Sequence, residues 1–174
     1  LGLFITGLMV GRTPEYVGKR IGEHEIKLIA VYTLIGPAAV LLLTALAVVS
    51  SAGLAGLTTN SGPHGLTEIL YAYTSSFNNN GQTFAGLSAN SPFYNISTAV
   101  VMLLGRFALA IPALALAQRF AQQPNRQATQ GTLPTDTVLF GAVIIGTALI
   151  VVALTYLPAV ALGPIVEHLL MIGR

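Results

Sequence analysis

Two stretches of the chain, Leu28–Leu57 and Val138–Leu162, carry no charged side chain, and a third, Phe93–Gln118, carries only Arg106. Each is longer than the ~20 residues that an α-helix needs to cross about 30 Å of hydrocarbon, so the pattern predicts three membrane-spanning helices. Leu28–Leu57 would be ~45 Å long, more than an upright span needs, and a tilt or a kink at Gly36-Pro37 is expected. Leu1–Val10 is equally apolar but only half a span. It has neither the charged start nor the small-residue cleavage site of a secretion signal, and it reads as the end of a helix in a fragment. Thr13-Pro14, after Gly11-Arg12, supplies a stop for it, because proline disfavours helical backbone at the residue before it.

The connection from Thr58 to Pro92 does not follow the pattern of a loop. Within it Gly65–Ser76, GLTEILYAYTSS, places Leu66, Ile69, Leu70 and Tyr73 on one helical face. Gly62-Pro63 in front suits a helix start, where proline is tolerated. A helix of about twelve residues does not cross a bilayer, and a re-entrant half-helix fits its length. After it comes FNNNGQTFAGLSANSPF, Phe77–Phe93, with neither an apolar period nor a helix-forming run. Two readings are open. Asn-Gly is a strong turn dipeptide, which makes NNNG an external turn. Alternatively, non-helical backbone at membrane depth is tolerated where protein buries it or where it lines a water-filled cavity. A short helix pointing the negative end of its dipole at such a loop suits a cation site, as in potassium filters built from backbone carbonyls. The charge-free flanks favour the second.

Composition agrees with a membrane protein: of 174 residues 53% are hydrophobic and 8% charged, with a mean hydropathy of +0.74, against roughly a quarter charged in soluble domains. Arg12, Lys19, Arg20 and Lys27 fall in the first connection and Arg119 and Arg126 in the one before the last span, whereas Glu68 is the only charge in Thr58–Pro92. The positive-inside rule puts the two basic connections in the cytoplasm and Thr58–Pro92 and the C-terminal tail outside. The first connection, with Glu15, Glu23 and Glu25, reads as a solvated, orientation-setting loop that also offers a partner contact. With no tryptophan, Tyr16, Tyr32, Tyr94 and Tyr156 are the expected interfacial anchors.

The net charge of +2 is dispersed, so no nucleic-acid partner is expected. Absence of cysteine excludes disulfides and thiolate metal sites. His24, His64 and His168 lack metal-ligand spacing and read as surface residues. No phosphate-binding loop, phosphorylation motif or nucleophile with a base is readable, so any ATP hydrolysis falls to another subunit.

Two charges stand out. Arg106 lies ~20 Å along its helix from Phe93, in the inner half of the membrane, where an arginine must face protein or water. It is either a structural charge neutralised by a carboxylate or by carbonyls of a broken helix, or a functional one. Gly105 and Pro112 weaken the helix around it. Glu68 either holds neighbouring backbone or is solvated at a helix start.

The stretches YAYTSSFNNNGQTFAGLSANSPFYN, MLLGRFALAIPALALA, MVGRTPEYVGKRI, GTLPTDTVLF and LTYLPAVALGPIVEHLL together resemble the C-terminal third of the potassium-transporting ATPase A subunits, the channel-like KdpA family of the bacterial Kdp complex. The resemblance covers essentially all of the chain. It implies an all-α membrane protein of four unequal M1-P-M2 repeats around a central filter, three of them outside this chain. Residues 1–11 would end the third repeat's M2, followed by a cytoplasmic loop (12–27), M1 (28–57), and an external re-entrant pore helix and filter loop (58–92). M2 (93–120), a second cytoplasmic loop (121–137), an extra transmembrane helix (138–162) and an external tail (163–174) would follow.

By this resemblance the filter strand is 77–83, with potassium facing the carbonyls of Asn79, Asn80 and Gly81, flanked by Asn78 and Gln82, and with the amides bracing the strand. Gln82-Thr83 follow the glycine where smaller residues are usual. The LGRF match makes Arg106 a positive barrier beneath the filter; Glu68, on the pore helix, is read from its own position either as a filter support or as a solvated residue. The implied function is the non-catalytic, potassium-translocating subunit of an ATP-driven uptake pump. Potassium is its one metal, without transition metal or covalent cofactor. Its partners would be a P-type ATPase catalytic subunit, small accessory Kdp membrane subunits and lipid, in a bacterial inner membrane with the C-terminus external. The alternatives are a Trk- or Ktr-like uptake protein, or a structural membrane subunit whose NNNG merely turns.

Overall fold

The computed structural model describes residues 1–11, 14–124 and 137–173. Arg12, Thr13, Arg126, Arg174 and the GTLPTD half of the GTLPTDTVLF motif lie outside the described residues. Among the described residues three helices are long and apolar enough to cross a membrane: Glu23–Val49, Pro92–Gln122 and Val138–Ile172.

The chain divides into two compact units, Leu1–Tyr32 with Ile111–Thr155, and Thr33–Ala110 with Tyr156–Arg174. In the first, helix α1 (Gly2–Val10) stops at Gly11, whose φ of 68° and N–H bonds to the carbonyls of Gly7 and Leu8 form a left-handed cap. The stop therefore precedes Thr13-Pro14. The expected solvated loop instead contains a hairpin, β1 (Glu15–Tyr16) against β2 (Lys19–Arg20), antiparallel with Glu15 opposite Arg20. Its two-residue turn, Val17 and Gly18, has positive φ at both positions, as the twist of a tight hairpin demands.

Helix α2 (Glu23–Val49) begins before the charge-free run, and Glu23 and Glu25 in its first turn face the positive end of the helix dipole. Glu15 and Glu25 are buried rather than solvated. The Glu25 carboxylate accepts from Gly22 N at 3.0 Å and from Gln123 Nε2 at 3.2 Å, and Arg119 Nη1 lies 4.0 Å away. Gln123 in turn accepts from Arg20 N at 3.0 Å and, through its carbonyl, from the Lys19 ammonium. This network replaces the water that a fully exposed loop would use.

In the second unit Pro37 stays inside α2, and the helix breaks at Ser50, which is extended and caps α3 (Ser51–Leu54) by accepting from Gly53 N at 3.1 Å. Helix α4 spans Pro63–Phe77, with Gly62 as N-cap and Pro63 in the first turn. Its 15 residues measure ~22 Å, too short for an upright span. Of the predicted apolar face, Ile69, Leu70 and Tyr73 are buried, against Val40 and Ala47 of α2 and Tyr94 and Val101 of α5.

Helix α5 (Pro92–Leu103) continues through a π turn (Leu104–Ala108) into α6 (Leu109–Gln122). Tyrosines stitch this core: Tyr73 Oη lies 2.8 Å from Ser97 Oγ, and Tyr94 Oη donates to Gly53 O at 2.8 Å. Helix α7 runs from Val138 to Ile172, so residues 163–172, read from the sequence as a tail, continue the last helix past Pro158 and Pro164.

Candidate functional site

The end of α4 and the segment after it form the candidate site. The last carbonyls of a helix have no intrahelical partner, and here the chain turns back to satisfy them. Asn78 N donates to Thr74 O at 3.2 Å, Asn79 N to Ser76 O at 3.0 Å and Asn80 N to Ser75 O at 3.0 Å. Gln82 N donates to Ser75 Oγ at 2.8 Å. Among the described residues no hydrogen bond reaches the carbonyls of residues 78–83. The loop thus turns donors toward α4 and leaves acceptors open, beside the negative end of the helix dipole. That is the electrostatic sense a cation requires.

The path is a turn and an irregular segment, not a strand, and Phe77 is the last residue of α4 and no part of the loop. Asn79 has φ 59° and Gly81 φ 72°. A strand would point successive carbonyls to opposite sides, and left-handed backbone at alternate residues interrupts that alternation. Asn is among the side chains that tolerate this region best, and glycine adopts it freely.

The amides are turned onto backbone. Asn78 Nδ2 donates to Thr74 O at 2.9 Å, and Asn79 Nδ2 to Phe77 O at 3.2 Å and Met102 O at 3.5 Å. Gln82 Oε1 accepts from Tyr71 Oη at 3.0 Å, and the Tyr71 ring lies 4.5 Å from that of Phe84. Asn80 and Gly81 are exposed.

The arm that returns from the loop is pinned to the segment before α4. Gly86 O accepts from Thr58 N at 2.8 Å and Thr58 Oγ1 at 2.7 Å, and Ser88 N donates to Gly56 O at 2.7 Å. Glu68 sits beneath this arm, 1% exposed, which excludes the solvated reading. Its Oε2 accepts from Asn60 Nδ2 at 3.2 Å, and its Oε1 is buried without a partner among the described residues. A Cβ on Gly86 would lie 2.7 Å from that oxygen and 2.0 Å from Thr59 Oγ1, so a larger residue would displace the Thr59 and Glu68 side chains.

Arg106 lies in the π turn, exposed and without a hydrogen bond or ion pair among the described residues. No internal carboxylate of these residues neutralises it. The fold brings it close to the loop, because the neighbouring Gly105 packs on the Phe77 carbonyl and beside the Asn79 amide. Gly105 and Phe77 are far apart in the chain, and sequence reading missed the π turn that joins them. A glycine next to the sole arginine of the apolar run Phe93–Gln118 is the signal that points to it.

Ser75, which anchors two loop N–H groups, left no readable signal. His64 and Glu167 are 2.7 Å apart. His24 and His168 are exposed, and no group of three or more metal-ligating side chains occurs among the described residues.

The sequence model of a family described as "Potassium-transporting ATPase A subunit" matches residues 1–169. A potassium-transporting ATPase potassium-binding subunit of Laribacter hongkongensis is 53% identical over 174 residues, covering 100% of this chain and 30% of the relative. The subunit of the same description from Chromobacterium violaceum is 55% identical over 173 residues, 99% of this chain and 29% of the relative. That from Burkholderia mallei is 53% identical over 171 residues, 98% and 28%. The chain spans under a third of the length of these relatives.

Proposed function

Because this chain belongs to the family of potassium-transporting ATPase A subunits, we propose that its loop from Asn78 to Gln82 is one potassium-binding segment of a membrane-embedded pump subunit. In this reading α2 is M1, α4 the pore helix and the α5–α6 helix M2 of a fourth M1-P-M2 repeat, and α7 is an additional transmembrane helix. Three further repeats in the full-length protein complete the filter. The single observation that carries the reading is the split of hydrogen bonding in the loop: the N–H groups of Asn78, Asn79, Asn80 and Gln82 close onto α4, and among the described residues no hydrogen bond reaches the carbonyls of residues 78–83.

Potassium is a weakly hydrated monovalent ion, and several neutral carbonyl dipoles offset its dehydration without trapping it. Asn79, Asn80 and Gly81 supply the central carbonyls. Asn78 and Gln82 flank them, with the Asn78 and Asn79 amides and Tyr71 as braces. Arg106 places a positive charge below the loop. That charge opposes the onward passage of a cation, discouraging free flow while permitting a driven one.

The chain binds and conducts; hydrolysis of ATP belongs to a P-type ATPase catalytic subunit, assembled with small accessory membrane subunits in the bacterial inner membrane. Its basic connections face the cytoplasm and its C-terminus lies outside.

Gly81→Ala in the full-length protein tests the site. Its Cβ meets no atom within 4 Å, so the substitution acts on backbone conformation alone. A left-handed L-residue costs roughly 1–2 kcal/mol, and the half-saturating potassium concentration of ATP hydrolysis should rise about 5- to 30-fold. An unchanged potassium dependence would return NNNG to a simple turn. Co-purification of a nucleotide-binding regulator instead of a P-type ATPase would favour a Trk- or Ktr-like uptake protein.

A further inference from the structure

The π turn in the α5–α6 helix and the base of the candidate ion loop meet without any space between them. The carbonyl of Phe77, the last of α4, points at Gly105, and a Cβ on that glycine would lie 1.8 Å from the oxygen and 2.8 Å from its carbon. A glycine Cα–H occupies that place and makes a weak contact to the carbonyl. The same Phe77 carbonyl accepts from Asn79 Nδ2 at 3.2 Å, and that nitrogen also reaches Met102 O at 3.5 Å. Met102 stands two residues before the π turn, where the change from i→i+4 to i→i+5 pairing opens backbone groups to outside partners. Asn79 thus ties its own left-handed turn to two helices at once, the end of α4 and the wall formed by α5.

Resting on the reading of the loop as an ion-binding segment, we propose that Gly105 is a positioning residue for potassium selectivity: it sets the height of the Phe77 carbonyl, and through Asn79 the carbonyls of Asn79, Asn80 and Gly81. The clash that any larger residue creates is with backbone on both sides. It cannot be relieved by a side-chain rotation, so either α4 or the π turn must shift. Because Asn79 follows Phe77 by two residues and holds both partners, a shift of a few tenths of an ångström passes directly into the loop. The π turn has a specific use in this arrangement: it presents Gly105 to Phe77 and, one residue on, Arg106 to the region beneath the loop.

The test compares three variants of the full-length protein, expressed in cells that depend on it for potassium. Gly105→Ala is the probe. Gly146→Ala is the control, because a Cβ there meets nothing within 4 Å. Asn79→Gly keeps the left-handed backbone and removes only the amide. The readouts are the half-saturating potassium concentration for uptake and the preference for potassium over rubidium and sodium. Gly105→Ala is expected to raise the former about tenfold and to reduce the preference, with Gly146→Ala unchanged in both.

Should Gly105→Ala fail to accumulate in the membrane, Asn79→Gly decides: reduced preference at normal protein level supports the proposal, and unaltered affinity and preference overturn it. Gly105→Ala present at normal level with unaltered preference overturns it as well. Gly81→Ala separates the two claims: if it perturbs affinity while Gly105→Ala does not, the loop stands and the positioning role falls; if neither does, the reading of the loop itself has failed.

Discussion

Glu68 is almost completely buried, with 1% of its surface exposed. It is a carboxylate in a 15-residue helix, yet its side chain is sealed under Gly86 with one donor, Asn60, and one oxygen that takes no bond among the described residues. Burying an unmatched acceptor costs about 1–3 kcal/mol, so the group is retained for what it holds. Removing it strands Asn60 and opens a cavity beneath the returning arm. Glu68→Ala should lower stability by about 2–3 kcal/mol. Glu68→Gln keeps the shape and one acceptor and should be nearly neutral. Thermal unfolding of the purified full-length protein in detergent checks both. A Gln variant as unstable as the Ala variant would mean that the charge itself, and not packing and hydrogen bonding, secures the arm.

Among the elements, α4 carries the site, and its position depends on packing it could not achieve alone. A helix of 15 residues in isolation is marginal. Ile69, Tyr73 and Phe77 bury it against α2 and α5, and the tyrosine hydroxyls find partners inside that core. Tyr94 matters most, since its hydroxyl supplies the Gly53 carbonyl at the break between α2 and α3, and its ring packs edge-on to Phe93 at 5.2 Å. Tyr94→Phe preserves volume and removes one donor to that carbonyl, which keeps the Gly56 N–H at 3.2 Å. A loss of about 0.5–1.5 kcal/mol is expected, read as a lowered unfolding midpoint. Potassium affinity should hold until the protein unfolds, because Tyr94 does not touch the loop.

At the scale of the whole molecule, the proposed function gives the open carbonyls and Arg106 opposite senses on a cation: the first would attract it, the second would oppose its onward passage. Neutralising the arginine removes the second effect and leaves the first. In the full-length protein within its pump complex, Arg106→Gln should uncouple potassium movement from ATP hydrolysis while altering the preference among potassium, rubidium and sodium little. Flux and hydrolysis measured together in reconstituted vesicles test this. Intact coupling with only reduced protein stability would make Arg106 a structural charge. With no ion pair for it among the described residues, its neutralisation in place rests on water or on parts of the full-length protein beyond this chain.

The spans, the short helix and the polar loop were legible in the sequence because each follows from a one-dimensional quantity. Length without charge gives a span, a three-and-four spacing gives a helical face, and Asn-Gly gives left-handed backbone. The candidates Arg106 and Glu68 stood out because charged groups are conspicuous in an apolar chain, whereas the choice of Asn78–Gln82 within the polar loop came from the family resemblance. What the sequence left open depends on contacts between distant positions. Whether Glu68 is buried or solvated, whether the basic connection is a loop or a hairpin held by Gln123, and where Arg106 stands relative to the loop were decided only by the tertiary structure. Gly105 shows why: a missing Cβ has no periodicity and no charge, and its meaning exists only when the Phe77 carbonyl is brought against it.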